Sequence, residues 1–125
     1  MRGTLRTRPQ FQRVYGEGTK AVGRLCVVHV LPDPPALPGQ PEDAVGVVAS
    51  RKVGGAVQRN RAKRLLREAH RALRPRLRSP LWLVLIARAA LTAPEVRAPE
   101  VRREMERLLE QAGALKAREG KAPPC

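Results

Sequence analysis

The chain has 125 residues, enough for one domain with a modest single core. Its 25 Lys and Arg against 11 Asp and Glu leave a formal charge of +14, which repels itself unless a polyanion neutralises it. With 42% apolar residues it is not a disordered basic tail, and no apolar run is long enough to span a bilayer, so the expected setting is the cytoplasm and the first partner to consider is a nucleic acid.

In chain order, "RPQFQRVYGEG" reads as a short helix: Pro9 suits a first turn, Phe11, Val14 and Tyr15 recur at helical spacing, and Gly16 and Gly18 stop it. "RLCVVHVLP" is a β-branched strand closed by Pro32. A Pro-rich connection, "DPPALPGQPED", separates it from a second strand, "AVGVVASRKV", and the two strands are expected to pair antiparallel. Gly54-Gly55 is a turn before a long helix, Ala56 to Leu73, followed by Pro75. "LWLVLIARA" is a third strand. The pentapeptide "APEVR" then occurs twice in tandem, and Pro99 opens a last helix whose stripe is Val101, Met105, Leu108, Leu109 and Ala112, ended near Gly113. The order α-β-β-α-β-α predicts a single-domain, two-layer α/β sandwich of the α+β class over residues 1–114, with 115–125 a flexible tail.

Chemistry-bearing motifs are few. Cys26 lies in an apolar run and Cys125 ends the chain, so neither suggests zinc, redox chemistry or a disulfide. His29 and His70 are far apart and show no metal-ligand spacing. No paired acids stand at a strand end to hold two metals; Glu104 and Glu106 read as solvated side chains of a charged helix. Neither a catalytic residue nor a metal site is expected in the chain itself.

The charge is focused. Eleven of the 25 Lys and Arg fall between Arg51 and Arg78, against one acid, Glu68. On a helical wheel Ala62, Leu65, Leu66, Ala69, Ala72 and Leu73 make one apolar arc facing the sheet. Arg59, Lys63, Arg67 and Arg71 step by four along another side, joined by Arg74, with Arg61 and Arg64 at its edge. Each step rises about 6 Å, close to the phosphate spacing of an RNA strand. Like charges so placed oppose folding by a few tenths of a kcal/mol per pair, a cost that lying phosphates remove. Membrane binding would want aromatic side chains beside the basic face, and this helix has none. In Arg59-Asn60-Arg61 two planar donor forks flank an amide near a helix start, a plausible phosphate or hydrated-metal contact; the plainer alternative is that Asn60 only helps start the helix.

"SRKVGGAVQRNRAKRLLREAHR", Ser50 to Arg71, resembles the signature of the bacterial ribonuclease P protein component. "FQRVYGEGTKAVGRLCVVHVL" and "LVLIAR" extend the resemblance from about Leu5 to Leu109. The resemblance implies a fold of the ribosomal protein S5 domain 2 type with a left-handed βαβ crossover, where general topology rules favour the right-handed one. It also implies a function: the protein subunit of an endoribonuclease whose catalytic RNA, with bound Mg²⁺, removes the 5′ leader of precursor tRNA, the protein alone being inactive. Residue by residue, it implies that Arg51, Lys52, Arg59, Asn60, Arg61, Lys63, Arg64 and Arg67 face the catalytic RNA. A cleft formed by Phe11, Tyr15, Val27, His29, Val48 and Ser50 would hold the leader, with Gly46 leaving room for close approach. His29 departs from the aromatic, often Tyr, that the family has there. Arg88 matches a basic position of the family without an assigned role. Two other readings stay open: a non-enzymatic ribosomal or RNA-chaperone protein, and a DNA-binding module with the basic helix in a groove.

Overall fold

The computed structural model describes residues 2–34 and 39–116. Five strands, β1 (Arg2–Thr4), β2 (Thr19–Val22), β3 (Cys26–Pro32), β4 (Asp43–Val48) and β5 (Leu81–Ala87), form one sheet in the order β1-β4-β5-β3-β2. The helices are α1 (Arg8–Glu17), α2 (Ala56–Leu73) and α3 (Ala98–Gln111).

The expected α-β-β-α-β-α order gains two strands, one at each edge of the sheet. Both are short, and β2 buries only Ala21, so neither carries the apolar run that marks an interior strand. The expected β3–β4 pairing is also corrected. β5 lies between them, antiparallel to β3 (Val28 opposite Leu85) and parallel to β4 (Val47 opposite Leu85). The reason is in its composition. "LWLVLIA" is apolar on both faces, and six of its seven residues are buried, which only a central slot covered on both sides provides. β4, α2 and β5 thus make the βαβ crossover.

Alternate residues of β5 feed two separate cores. Leu81, Leu83, Leu85 and Ala87 join Cys26, Val28 and Val30 of β3 under α2 and α3. Against them α2 packs Ala62, Leu65, Leu66, Ala69 and Leu73, while α3 packs Val101, Met105, Leu108 and Leu109. Ala72, placed by the wheel on the same arc, is exposed instead. Trp82 and Val84 point to the other face, where Leu5, Leu31, Ala44 and Val14 of α1 form a smaller cluster.

Local rules explain the ends of α1. Thr7 Oγ1 accepts from Gln10 N at 3.3 Å while Gln10 Oε1 accepts from Thr7 N at 3.0 Å, a reciprocal capping box. Gly46 decides where α1 can sit: a Cβ there would lie 2.6 Å from Phe11 Cε1, so only glycine lets the ring rest on the strand. The room at Gly46 is therefore filled by Phe11. The two APEVR copies fold differently. Ala93–Arg97 is a connection and Ala98–Arg102 begins α3, yet Val96 and Val101 both reach the main core. The domain also runs slightly past residue 114. Leu115 is buried, and Lys116 N donates to Arg76 O at 2.7 Å; residues 117–125, where the tail was expected, lie outside the described residues, as does Cys125.

Candidate nucleic-acid interface

Strand register turns the α1 side of the sheet into a grid. Val22, Val27, Ile86 and Val48 stand in one row across β2, β3, β5 and β4, and Lys20, His29, Val84 and Gly46 stand in the next. α1 crosses the second row and leaves the first uncovered: Val27, Val48 and Ile86 are half-buried, and Val22 is 52% exposed. Tyr15, 42% exposed, overhangs this apolar shelf, its ring centroid 4.8 Å from that of His29 in an edge-on contact. Phe11 is 6.3 Å from Tyr15 but turned down onto Gly46, so of the two predicted aromatic contacts Tyr15 is the one presented outward. Ile86 and Val22 belong to the shelf and were not singled out from sequence. They emerge only once β5 is central and β2 exists.

Burial raises the Tyr15 pKa and, together with the nearby Lys20 charge, lowers that of His29. His29 is thus neutral at pH 7, and its buried Nδ1 has no hydrogen-bond partner among the described residues. That is a polar atom at the foot of an apolar shelf.

Val48 leads within three residues to the basic end of α2. Ser50 is exposed just before a short 3-10 turn that exposes Arg51 and Lys52, and Asn60 and Arg64 are exposed on α2. The helix is capped at Gly55, so Asn60 sits inside it and does not start it. Glu68 lies 4.0 Å from Arg64, a loose surface pair. Arg59 and Lys63 are half-buried, and Arg59 Nε has no partner among the described residues. Arg61 differs. Its Nη2 donates to Val96 O at 2.8 Å and its Nη1 to Leu91 O at 3.4 Å, tying α2 to the connection before α3. Part of its guanidinium is used inside the protein, which its place in the motif does not reveal.

Two further residues turn out to hold this end of the sheet together. Glu104, expected to be solvated, is an anchor: Oε1 accepts from Arg24 N at 3.0 Å, and Oε2 accepts from Leu25 N at 2.8 Å and Cys26 N at 3.0 Å. A Cβ at Gly23 would meet its carboxyl carbon at 2.7 Å. Burial first, then the Glu104 charge, pushes the Cys26 thiol up to about 12, so it is inert. Arg88, just beyond β5, donates from Nη1 to Gly23 O at 2.9 Å. No group of three or more His, Cys, Asp or Glu side chains suited to a metal occurs among the described residues. None of the described helices is long and apolar enough to cross a membrane.

The family description Ribonuclease P matches residues 2–113. The chain belongs to the ribonuclease P protein family. A ribonuclease P protein component from Symbiobacterium thermophilum is 49% identical, with 93% of this chain and 95% of the relative covered. One from Dehalococcoides mccartyi is 40% identical over 89% of this chain and 85% of its own length. Among solved structures, the ribonuclease P protein of Thermotoga maritima superposes with a TM-score of 0.72 at 28% identity, covering 86% of this chain and 96% of that one. The Staphylococcus aureus protein, at 23% identity and a TM-score of 0.73 over 92% and 97% of the two chains, shares the fold. Ribonuclease P membership makes this chain an RNA-binding component of an endoribonuclease of tRNA processing.

Proposed function

We propose that the chain divides two RNA contacts between two surfaces. The exposed basic end, from Arg51 and Lys52 through Arg59, Asn60, Lys63, Arg64 and Arg67, binds the catalytic RNA of ribonuclease P, mainly through phosphates. The shelf of Val27, Val48 and Ile86, overhung by Tyr15 and His29, holds the 5′ leader of precursor tRNA by stacking and apolar contact, with Ser50 at its exit. One observation carries this reading: β4 ends on the shelf at Val48 and the chain emerges at Arg51 as the basic end, so a strand lying on the shelf leads straight to the RNA-facing surface. Phe11 supports the shelf from beneath by fixing α1.

Hydrolysis of the phosphodiester bond belongs to the RNA and its Mg²⁺. The protein's part in this reading is positioning and counter-charge. It works in the cytoplasm, where precursor tRNA is made. The ribosomal or chaperone alternative gains no support from the relatives named above, which are ribonuclease P protein components. Reconstitution tests the proposal. The purified, RNA-free chain should leave precursor tRNA intact, and adding it to the catalytic RNA at low Mg²⁺ should raise cleavage at the mature 5′ end. Cleavage by RNA-free protein, or no effect on the RNA, would overturn it.

A further inference from the structure

The cationic stripe of α2 continues from Arg67, the last residue assigned above. Arg67, His70, Arg71 and Arg74 follow one another at i, i+3, i+4 and i+7, so they line one side of the helix. They do not face open solvent on a flat surface. Opposite them runs the sheet edge made by β1 and the start of β4, and between the two lies a half-open groove of about 550 Å³. That is within the size range of sites that enclose small ligands.

The groove has two kinds of lining. Its floor is apolar, built from the half-buried Val45, Val47 and Leu77. Its helical wall is cationic, with Arg67, Arg71 and Arg74 exposed and without an acidic partner among the described residues. Asp43 is the one acid in the lining, and both its oxygens are used: Oδ2 accepts from Ser79 Oγ at 2.7 Å and Oδ1 from Leu81 N at 3.0 Å. Arg67, Arg71, Arg74 and Arg78 line the groove against the single carboxylate of Asp43, so it keeps a net positive charge. Such a combination matches a nucleotide, whose base has an apolar face and whose phosphate is an anion; arginine planes serve both, stacking on bases and forking to phosphate oxygens. A base inside a duplex is covered on both faces by its neighbours, so the floor can be reached only by an unstacked one.

We propose that this groove captures one unpaired, extruded nucleotide of the catalytic RNA. The inference rests on the assignment of that RNA as partner. Geometry favours it over the leader. The floor residues Val45 and Val47 lie on the face of β4 that packs under α2 and α3, whereas Val48 of the leader shelf lies on the opposite face. Along α2, Arg59 and Arg74 are about 22 Å apart. The groove is therefore a second anchor, which sets the angle of α2 on the RNA.

Crosslinking from the groove mouth tests this in the assembled holoenzyme. Thr4 is exposed and lines the groove. A Thr4→Cys, Cys125→Ser chain carries a single accessible thiol, because Cys26 is buried, and that thiol takes a short aryl azide. On irradiation the proposal expects crosslinks to one unpaired nucleotide of the RNA. Adding Arg71→Gln and Arg74→Gln should cut the yield per assembled complex at least fivefold. An assembled, cleaving complex with no crosslink, crosslinks spread over paired RNA or confined to the leader, or a yield indifferent to the two substitutions would each overturn it. Failure of the unmodified chain to assemble with the RNA would instead sink the parent reading, and this inference with it.

Discussion

The two faces of the sheet differ in how completely they are covered. Under α2 and α3 lies a core closed except at the groove over Val45, Val47 and Leu77, in which the side chains of Leu66, Leu83, Leu85, Met105 and Leu108 are almost wholly buried. Under α1 the smaller cluster is sealed around Val14 and Trp82, but Val22, Val27, Val48 and Ile86 remain in reach of solvent. One face is built to hold the domain together. The other keeps apolar surface that folding alone would have covered, and in a chain of this charge that surface is where a flexible RNA strand gains most from stacking.

That contrast can be broken by substitution. Leu66→Ala, in the closed core, should cost about 2–5 kcal/mol in urea unfolding. Ile86→Ala, on the open shelf, should cost no more than roughly 1–2 kcal/mol and show itself mainly as weaker binding of leader-bearing tRNA. Equal destabilisation by the two would mean that the shelf is core. Next in size, Glu104→Ala strands three amides at the start of β3 and should cost roughly 1–3 kcal/mol, with faster hydrogen exchange at Arg24, Leu25 and Cys26. An unchanged exchange pattern would remove Glu104 as the hairpin's anchor.

A smaller effect separates the two arginines of the Arg59-Asn60-Arg61 motif. Arg61→Ala should lower both Tm and RNA affinity because it releases the carbonyls of Leu91 and Val96. Arg59→Ala should lower RNA affinity while leaving Tm nearly unchanged. The smallest effect is on pH. The folded His29 pKa lies below its ordinary 6.5, so the unfolded chain takes up the proton first, and stability falls as pH drops from about 6.5 toward the lowered value. His29→Phe should flatten that part of the stability profile.

Much of the architecture was legible because the signals were local. The span Ala56–Leu73 and its apolar arc follow from period and turn residues, Ala72 excepted, and the last strand announces itself by composition. The edge strands were not legible. "RGT" and "TKAV" acquire strand character only from their neighbours, and the position of β5 between β3 and β4 is a long-range outcome. The site follows the same division. The basic signature is contiguous and was read whole, whereas the shelf is assembled from four strands, so Val22 and Ile86 were missed. Glu104 was misjudged because its partners are amides about eighty residues away, which no helix pattern encodes.

The separation of two RNA surfaces is tested most directly by Tyr15→Ala in the reconstituted holoenzyme, measuring affinity for precursor tRNA and for mature tRNA side by side. Loss of one stacked base predicts precursor binding weakened roughly 5- to 150-fold, with mature tRNA binding unchanged, whereas Arg59→Ala should affect assembly with the catalytic RNA whichever tRNA is present. Equal weakening of precursor and mature tRNA by Tyr15→Ala would contradict the account.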